Sequence, residues 1–164
     1  MEFHRIRLHG PWQLSLLEGD ASRGFGDPTV VLGTAAVRRA PFRLPGEICW
    51  ADYSNATEQA GTFASAGEVV LQRHFNRPSG LVPDQIVVLG CWSNHAVVSA
   101  WLNDQVLLPT PVNFAAPASS CFSVSVASFR AYNSVGLVFR CGELKRLRID
   151  QVALGLSDLR GDTA

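Results

Sequence analysis

The stretch Gly67–Asp104, GEVVLQRHFNRPSGLVPDQIVVLGCWSNHAVVSAWLND, decides the fold. In its segment 69–75 the apolar residues share one face, which Arg73 interrupts, and the segments 85–91 and 96–102 are apolar on both faces. These patterns predict three successive β-strands. The Asn-Asp pair that closes the stretch tolerates the positive φ of a tight hairpin turn. The stretch therefore predicts an antiparallel meander at the centre of a two-layer β structure.

Strand patterns continue on both sides of this meander. His4–Leu17 keeps a period of two, and a bend or bulge is expected inside it at Gly10-Pro11. Cys121–Ser128 has the cleanest alternation in the chain, and Leu147–Leu156 changes phase near Gln151, which indicates a β-bulge. Three further strands are expected at 29–39, 105–108 and 135–141.

Two long segments lack strand periodicity. The prolines at 41 and 45 are expected to end the strand before the first of them, 46–66. The second, 109–120, contains three prolines and is predicted as a loop. About nine strands with almost no helix predict an all-β fold, an antiparallel β-sandwich. We expect a single domain over residues 1–164, with its core at about 4–156 and a tail at 157–164.

Composition limits the classes of partner. The 164 residues have a formal net charge of zero, so the overall field that attracts a protein to nucleic acid or an anionic membrane is missing. No run of about 18 apolar residues is present to span a bilayer, and charges stand where a signal peptide needs an apolar core. We therefore expect a cytoplasmic protein with no nucleic-acid or membrane partner. Its four cysteines are then expected to be reduced thiols.

Several short motifs, taken in order, resemble those of one family. They are LHGPW (Leu8–Trp12), LPGEICW (Leu44–Trp50), LQRHFNRP (Leu71–Pro78), AWLND (Ala100–Asp104), FSVSVASF (Phe122–Phe129) with Asn133 after it, and LRIDQVALGL at 147–156. Over roughly residues 8–156 the chain is similar to the N-terminal sugar-binding domain of glycoside hydrolase family 2 enzymes. The resemblance implies a jelly roll of the galactose-binding-domain-like superfamily.

This sequence departs from the family pattern in three ways. The usual Asn-Gly of the hairpin is Asn103-Asp104 here. The His- and Gly-rich segment that commonly follows the hairpin is replaced by the proline-rich segment Leu108–Ser120. The catalytic barrel of the enzymes is absent from the sequence. The resemblance therefore does not carry glycosidase activity to this chain, and we do not expect an enzyme.

Strand parity predicts where a ligand would bind. If successive strands are antiparallel, the Asn103-Asp104 turn lies at one end of the sandwich, and the loops at 43–67, 91–95, 109–120 and 142–146 gather at the other. Aromatic rings beside amide side chains suit the apolar face and the hydroxyl groups of a sugar. The candidate ligand-binding residues are Trp50, Tyr53, Trp92, Asn94, His95 and Asn113.

Other interpretations of these residues stay open. Large aromatic side chains usually plug the end of a core, which would explain Trp50 and Trp92 equally well. The same end gathers the cysteines with His95, but a zinc site needs ligands that converge at about 2.3 Å, and no C-x-x-C pair occurs, so buried thiols are favoured. Hydrolysis needs two carboxylates across a cleft, and no G-x-S-x-G motif is present. We expect no metal and no cofactor.

Two hypotheses for the function follow. The first is a non-catalytic β-sandwich module that binds a carbohydrate or another small polar ligand. The alternative is a structural or protein-interaction domain that keeps the fold without a sugar site, with a second copy of the chain or another protein as its partner. The first requires Trp50, Trp92 and His95 to face solvent, because core residues cannot contact a ligand.

Overall fold

Two antiparallel sheets make up the described part of the molecule. The computed structural model describes residues 3–18, 36–49, 66–111, 120–140 and 146–157. These ranges contain no helix long and apolar enough to cross a membrane. Their strands are β1 (Phe3–Arg7), β2 (Trp12–Glu18), β3 (Ala36–Phe42), β4 (Gly46–Cys49), β5 (Ala66–Asn76), β6 (Val87–Ser93), β7 (Ser99–Leu102), β8 (Gln105–Val106), β9 (Leu108–Pro109), β10 (Ser120–Val124), β11 (Tyr132–Arg140) and β12 (Arg146–Ser157).

The pairing of these strands confirms the all-β antiparallel sandwich. Sheet A has the order β1-β12-β6-β10-β9, with β4 also paired to β12. Sheet B has the order β3-β2-β5-β11-β7-β8. Each of these pairings is antiparallel, and successive strands repeatedly change sheet, as they do in a jelly roll. The strand β6 lies in the middle of sheet A, which explains why both of its faces are apolar.

Apolar side chains from both sheets fill the space between them. Leu14, Leu71 and Leu137 of sheet B belong to one buried cluster with Leu89 and Leu154 of sheet A. Each of these five side chains is almost completely removed from water. Truncating any of them to alanine would cost about 2–5 kcal/mol, since the cavity adds to the lost burial. The cluster is therefore the main source of stability in the sandwich.

Two tryptophans, Trp12 and Trp101, are buried as predicted, but on different faces of sheet B. Trp12 belongs to the core between the sheets, and its indole Nε1 donates to the carbonyl of Leu8 at 3.2 Å. The side chain of Trp101 alternates with two core residues of β7 and lies over its cross-strand neighbour Gly136. A Cβ atom at position 136 would lie 1.9 Å from the Trp101 ring. The ring therefore requires glycine opposite it.

The first predicted strand, His4–Leu17, is two strands in different sheets. The strand β1 pairs with β12 in sheet A, whereas β2 pairs with β3 and β5 in sheet B. The chain changes sheet around Gly10, whose φ of 108° is a conformation that side chains with a Cβ rarely adopt. The expectation of one strand with a bend inside it was wrong. The sequence pattern does not reveal the crossing because the period of two continues on both sides of it.

Three other strand boundaries differ from the predictions. The strand β4 was expected to be loop, since four residues are too few to show a period, and it pairs with β12. The predicted return strand 105–108 is divided between β8 in sheet B and β9 in sheet A. The predicted strand Cys121–Ser128 ends with β10 at Val124 and continues as a 3-10 turn over Val126–Ser128.

Two local irregularities of the strands have clear causes. The register of β12 against β6 shifts between Ile149 and Gln151, which confirms the predicted bulge. Pro41 was expected to end a strand, yet it lies inside β3. Since β3 is an edge strand of sheet B, about half of its N–H groups point away from β2, and proline is tolerated in such strands. The beginning of the predicted strand 29–39 lies outside the described residues, as do 50–65, 112–119 and the tail from 158.

The predicted hairpin turn is confirmed, and two asparagines hold it in place. Asn103 has a φ of 58°, and its Nδ2 donates to the carbonyl of Ser128 at 2.9 Å and to Oδ1 of Asn133 at 3.1 Å. Its Oδ1 accepts from the amide of Ser134 at 3.0 Å. Asn133 is fully buried and bonds to both the N–H and the C=O of Arg130 at 2.8 Å. These bonds join the hairpin to the start of β11.

Candidate functional site

The structure describes part of the predicted ligand-binding end. Trp50, Tyr53 and Asn113 lie outside the described residues. Trp92, Asn94 and His95 lie at the end of β6 and in the turn after it. The chain that follows this turn contacts the last residues of β11, whereas the Asn103-Asp104 hairpin contacts the first residues of β11. The turn and the hairpin therefore lie at opposite ends of the sandwich, as strand parity predicts.

The side chain of Asn94 is engaged by the backbone of sheet A. Its Oδ1 accepts from the amide of Arg148 at 2.7 Å, and its Nδ2 donates to the carbonyl of Arg146 at 3.1 Å. A second bond closes the turn, in which the Ser93 hydroxyl donates to the carbonyl of His95 at 2.5 Å. Asn94 thus fastens the turn to β12, and its amide is already hydrogen-bonded in the folded chain.

Trp92 lies on the outer face of sheet A. It packs against Val88 and Cys121, in a small cluster that is separate from the core between the sheets. The guanidinium of Arg5 lies 5.5 Å from the centroid of its ring, within the range of a cation–π contact. The half-buried ring therefore does not plug the interior of the sandwich, and it stays a candidate for contact with a ligand.

Three of the four cysteines lie in sheet A near this end. Cys91 and Cys121 are buried and Cys49 is half-buried, all three as thiols, and Cys141 lies outside the described residues. Cys121 is the cross-strand partner of Gly90, and Cys91 follows Gly90 in the chain. The side chains of Cys121 and Cys91 therefore lie on opposite faces of the sheet. No group of three or more potential metal ligands occurs among the described residues.

Burial raises the pKa of the Cys91 thiol to about 12, with smaller contributions from Cys121 and Asp150, against a hydrogen bond to Ser93 that lowers it. The folded pKa lies above the unfolded one, so stability is lost as the pH rises from about 9 towards 12. Between neutral pH and pH 10, we expect the free energy of unfolding of the wild type to fall by about 1.4 kcal/mol more than that of Cys91→Ala. Urea unfolding of both proteins across this pH range measures the difference.

The same protonated state predicts the reactivity of Cys91. In the folded protein its thiol is expected to react with a thiol reagent only through unfolding, because it is fully buried and neutral. Cys49, which is half-buried, provides the internal comparison. In the unfolding experiment described above, an equal loss of stability at high pH in the wild type and in Cys91→Ala would contradict the raised pKa of Cys91.

A depression on sheet B carries several polar side chains. It has a volume of about 340 Å³ and lies where β2 begins beside β3 and β5. We call it the Arg73 depression. Its described lining residues are Pro11, Trp12, Gln13, Ala40, Pro41, Gln72, Arg73 and His74. The sequence analysis did not place a site here.

Arg73 has an unusual environment in this depression. It stands in the row of β5 that otherwise faces the core, between Leu71 and Phe75, and burial lowers the pKa of its guanidinium. Its Nη1 is shielded from water and has no hydrogen-bond acceptor. Its Nε makes a long contact of 3.4 Å to the carbonyl of His74, and its guanidinium packs beside Gly10. The ion pairs found among the described residues involve other arginines.

Neutral polar groups line the depression on the outer face of sheet B. Gln13 and Gln72 are cross-strand neighbours, and the Nε2 of Gln72 donates to the hydroxyl of Ser134 at 2.8 Å. The exposed ring of His74 stacks on Tyr132, with 5.4 Å between centroids and 6° between planes. Strand alternation places these amide and imidazole side chains on the outer face of sheet B, opposite to the side chain of Arg73. The depression thus offers amide and imidazole groups, which can hydrogen-bond a polar molecule.

A second, smaller depression lies on the other side of the Gly10 crossing. Its volume is about 230 Å³, and its lining includes Arg7, His9, Asp150 and Gln151. The Nε2 of Gln151, which follows the β-bulge, is buried there without a hydrogen-bond partner. Asp150 is paired with Arg148 at 3.3 Å, so the nearby charges partly compensate each other.

Comparisons with known proteins give the fold. No protein-family model matches the chain, and a search of curated proteins finds no match either. Solved structures do match. One is a beta-glycosidase from Bacteroides vulgatus, at 16% identity and a TM-score of 0.53, covering 94% of this chain and 20% of that chain. Another is a Bifidobacterium dentium beta-glucuronidase complexed with coumarin-3-O-glucuronide, at 16% identity and a TM-score of 0.56, covering 95% and 30%.

A glycosyl hydrolase family 2 member from Bacteroides cellulosilyticus matches similarly, at 13% identity and a TM-score of 0.55, covering 94% of this chain and 21% of that chain. The present chain therefore spans between a fifth and a third of the length of these enzymes. These matches confirm the predicted resemblance in fold: the chain is a β-sandwich like one domain of such glycosidases. At these identities the likeness concerns the fold alone.

Proposed function

We propose that this chain is a non-catalytic β-sandwich module that binds a carbohydrate or another small polar ligand. The observation that carries the proposal is the Arg73 depression, where the neutral hydrogen-bonding groups of Gln13, Gln72 and His74 line a concave surface. A volume of about 340 Å³ lies at the lower end of the range for small-molecule sites and suits a monosaccharide. The shared fold with glycosidases supports a carbohydrate as the class of ligand.

The residues around the depression support binding without hydrolysis. Glycoside hydrolysis uses two carboxyl groups on either side of the scissile bond. The described lining residues of the Arg73 depression include no aspartate or glutamate. Their amide and imidazole groups can hydrogen-bond the hydroxyl groups of a sugar. The depression is thus suited to recognition.

Titration against mono- and oligosaccharides tests this proposal. At about −0.3 kcal/mol per non-hydrogen atom, a monosaccharide is expected to bind with a Kd in the low millimolar range. Calorimetry or ligand-observed NMR measures this affinity. The variant His74→Ala should weaken binding severalfold, whereas His4→Ala, an exposed histidine on β1 away from the depression, should not. Absence of binding across neutral, acidic and amino sugars would overturn the proposal.

One observation favours the alternative of a protein-interaction domain. Leu108 is 72% exposed and Val106 is 46% exposed, on the two short strands that link the edges of sheets A and B. Exposed apolar side chains at sheet edges are typical of surfaces that contact another chain. Light scattering separates the two functions, because a stable dimer that Leu108→Ser dissociates would favour the alternative.

A further inference from the structure

We propose that the Arg73 depression binds the terminal residue of a carbohydrate chain and not a segment within the chain. This inference rests on the proposed function and adds which part of a carbohydrate is recognised. It follows from the form of the depression, which is a short trough across the outer face of sheet B. The trough is closed at the strand β11 and open at the edge strand β3.

Two rows of side chains form the walls of this trough. The first row is Pro41, Gln13 and Gln72, which the register places side by side on β3, β2 and β5. The second row is Pro11 and His74. Each of them lies two residues from a member of the first row, and strand alternation therefore puts both rows on the same face of the sheet. Because each row crosses from strand to strand, the trough between them runs across the strands.

The end of the trough at β11 is closed by a hydrogen bond between the two rows. Nε2 of Gln72 donates to the hydroxyl of Ser134 at 2.8 Å, and Ser134 continues the second row because it is the cross-strand partner of His74. Behind this bond the ring of Trp101, which is 3% exposed, covers Gly136, the partner of Gln72 on β11. A polymer would have to break the bond and displace a buried ring to continue in this direction.

The opposite end of the trough lies at the edge of the sheet. In the described topology β3 is the last strand of sheet B on this side, and Pro11, Gln13 and Pro41 are exposed there. The volume of about 340 Å³ suits one sugar ring, so further residues of a chain would lie outside the trough and leave over β3. An internal residue continues the chain in two directions, one of which is blocked here.

The side chains at the closed end suit a terminal hydroxyl group. Because Nε2 of Gln72 is used in the bond to Ser134, its Oε1 remains to accept a hydrogen bond, and a sugar hydroxyl can donate one. The ring of His74 is stacked on Tyr132, which lies outside the trough, so this wall is held in place by the fold. A site that is ordered before binding loses less conformational entropy when the ligand enters.

Carbohydrates of increasing length test the inference on the unaltered protein. The probes are glucose, galactose, mannose, xylose, N-acetylglucosamine and galacturonate, each as the monosaccharide and as its linear di- and tetrasaccharide. Measured calorimetrically, the molar Kd of the sugar that binds should stay within about twofold from the monosaccharide to the tetrasaccharide, because each molecule places one residue in the trough. Saturation-transfer NMR with the tetrasaccharide should give its strongest signal on one terminal residue, which also identifies the end that is bound.

Variants of the closing bond provide a second test. Ser134→Ala removes the acceptor that holds Gln72 and should weaken monosaccharide binding severalfold. Ser134→Thr keeps a hydroxyl group and should retain most of the affinity. Ser125→Ala, at an exposed serine outside the depression, should retain all of it. Melting temperatures of the variants check that each is folded at the temperature of the titrations. Equal affinity in Ser134→Ala and the wild type would show that the closed end does not contribute to binding and would overturn the inference.

The outcomes separate this inference from the proposed function. Affinity that rises steadily from mono- to tetrasaccharide would overturn the recognition of a chain end and leave the sugar-binding function standing. Saturation spread evenly over the four residues of the tetrasaccharide would have the same meaning. Absence of binding by every probe in the series would overturn the proposed function together with the inference.

Discussion

Gly136→Ala is expected to lower the free energy of unfolding by about 3 kcal/mol, the largest effect of any single methyl group considered for this chain. The added Cβ would lie 1.9 Å from the ring of Trp101, so the indole must move or the two strands must separate. Trp101 is 3% exposed, and a buried ring in a close-packed environment has little space to move. Chemical denaturation with circular dichroism measures the change.

Two further variants isolate the cause. The double variant Gly136→Ala with Trp101→Leu should recover part of the stability lost by Gly136→Ala, because the smaller side chain leaves room for the methyl group. Gly80→Ala serves as the control: it also adds a methyl group, at a φ of 80°, but no atom lies within 4 Å of the new Cβ. It should therefore cost about 1 kcal/mol of backbone strain alone. A similar loss at both glycines would contradict the packing explanation.

Asn133→Ala is expected to cost a similar amount, about 3 kcal/mol. The fully buried side chain bonds to the N–H and C=O of Arg130 and accepts from Nδ2 of Asn103. Removing it leaves buried polar groups without partners, and each of these costs about 1–3 kcal/mol. Asn76→Ala, at an exposed asparagine at the end of β5, should change stability by less than about 0.5 kcal/mol.

The asparagine pair allows a sharper version of this experiment. Asn103→Gly keeps a residue that adopts a φ of 58° but removes the amide that reaches Asn133. In a double-mutant cycle the costs of Asn103→Gly and Asn133→Ala should sum to more than the cost of the double variant, because both remove the same hydrogen bond. Strict additivity would show that the two side chains act independently.

Local patterns in the sequence predict most of the strands correctly. The period of two over 69–75 predicts β5, the Asn-Asp pair predicts the hairpin, and the change of phase near Gln151 predicts the bulge in β12. Each of these signals depends on residues that are close in sequence. The sheet to which a strand belongs depends on residues far away in the sequence. Local patterns therefore do not show that β1 and β2 belong to different sheets, with the crossing at Gly10. They also do not show that β8 and β9 belong to different sheets.

The same reasoning explains the candidate site. Strand parity places Arg73 on the core side of β5 and its neighbours Gln72 and His74 on the outer face, where they line the depression. The depression also needs the start of β2 and the end of β3 beside β5, which follows from tertiary pairing. At the predicted end, Trp92 lies near the end of β6, and Asn94 and His95 lie in the turn after it. Parity does not reveal that the amide of Asn94 is bonded to β12.

The pairing of β1 with β12 has a mechanical consequence. Phe3, at the start of β1, is the register partner of Ser157, at the end of β12, so the chain enters and leaves the sandwich at one point. Force applied through the polypeptide on either side would load the ladder between them from that point, one hydrogen bond after another. A ladder pulled in this way opens like a zipper, whereas a ladder pulled along its strands shares the load among all its bonds. As a link under tension, this sandwich would yield at β1 first.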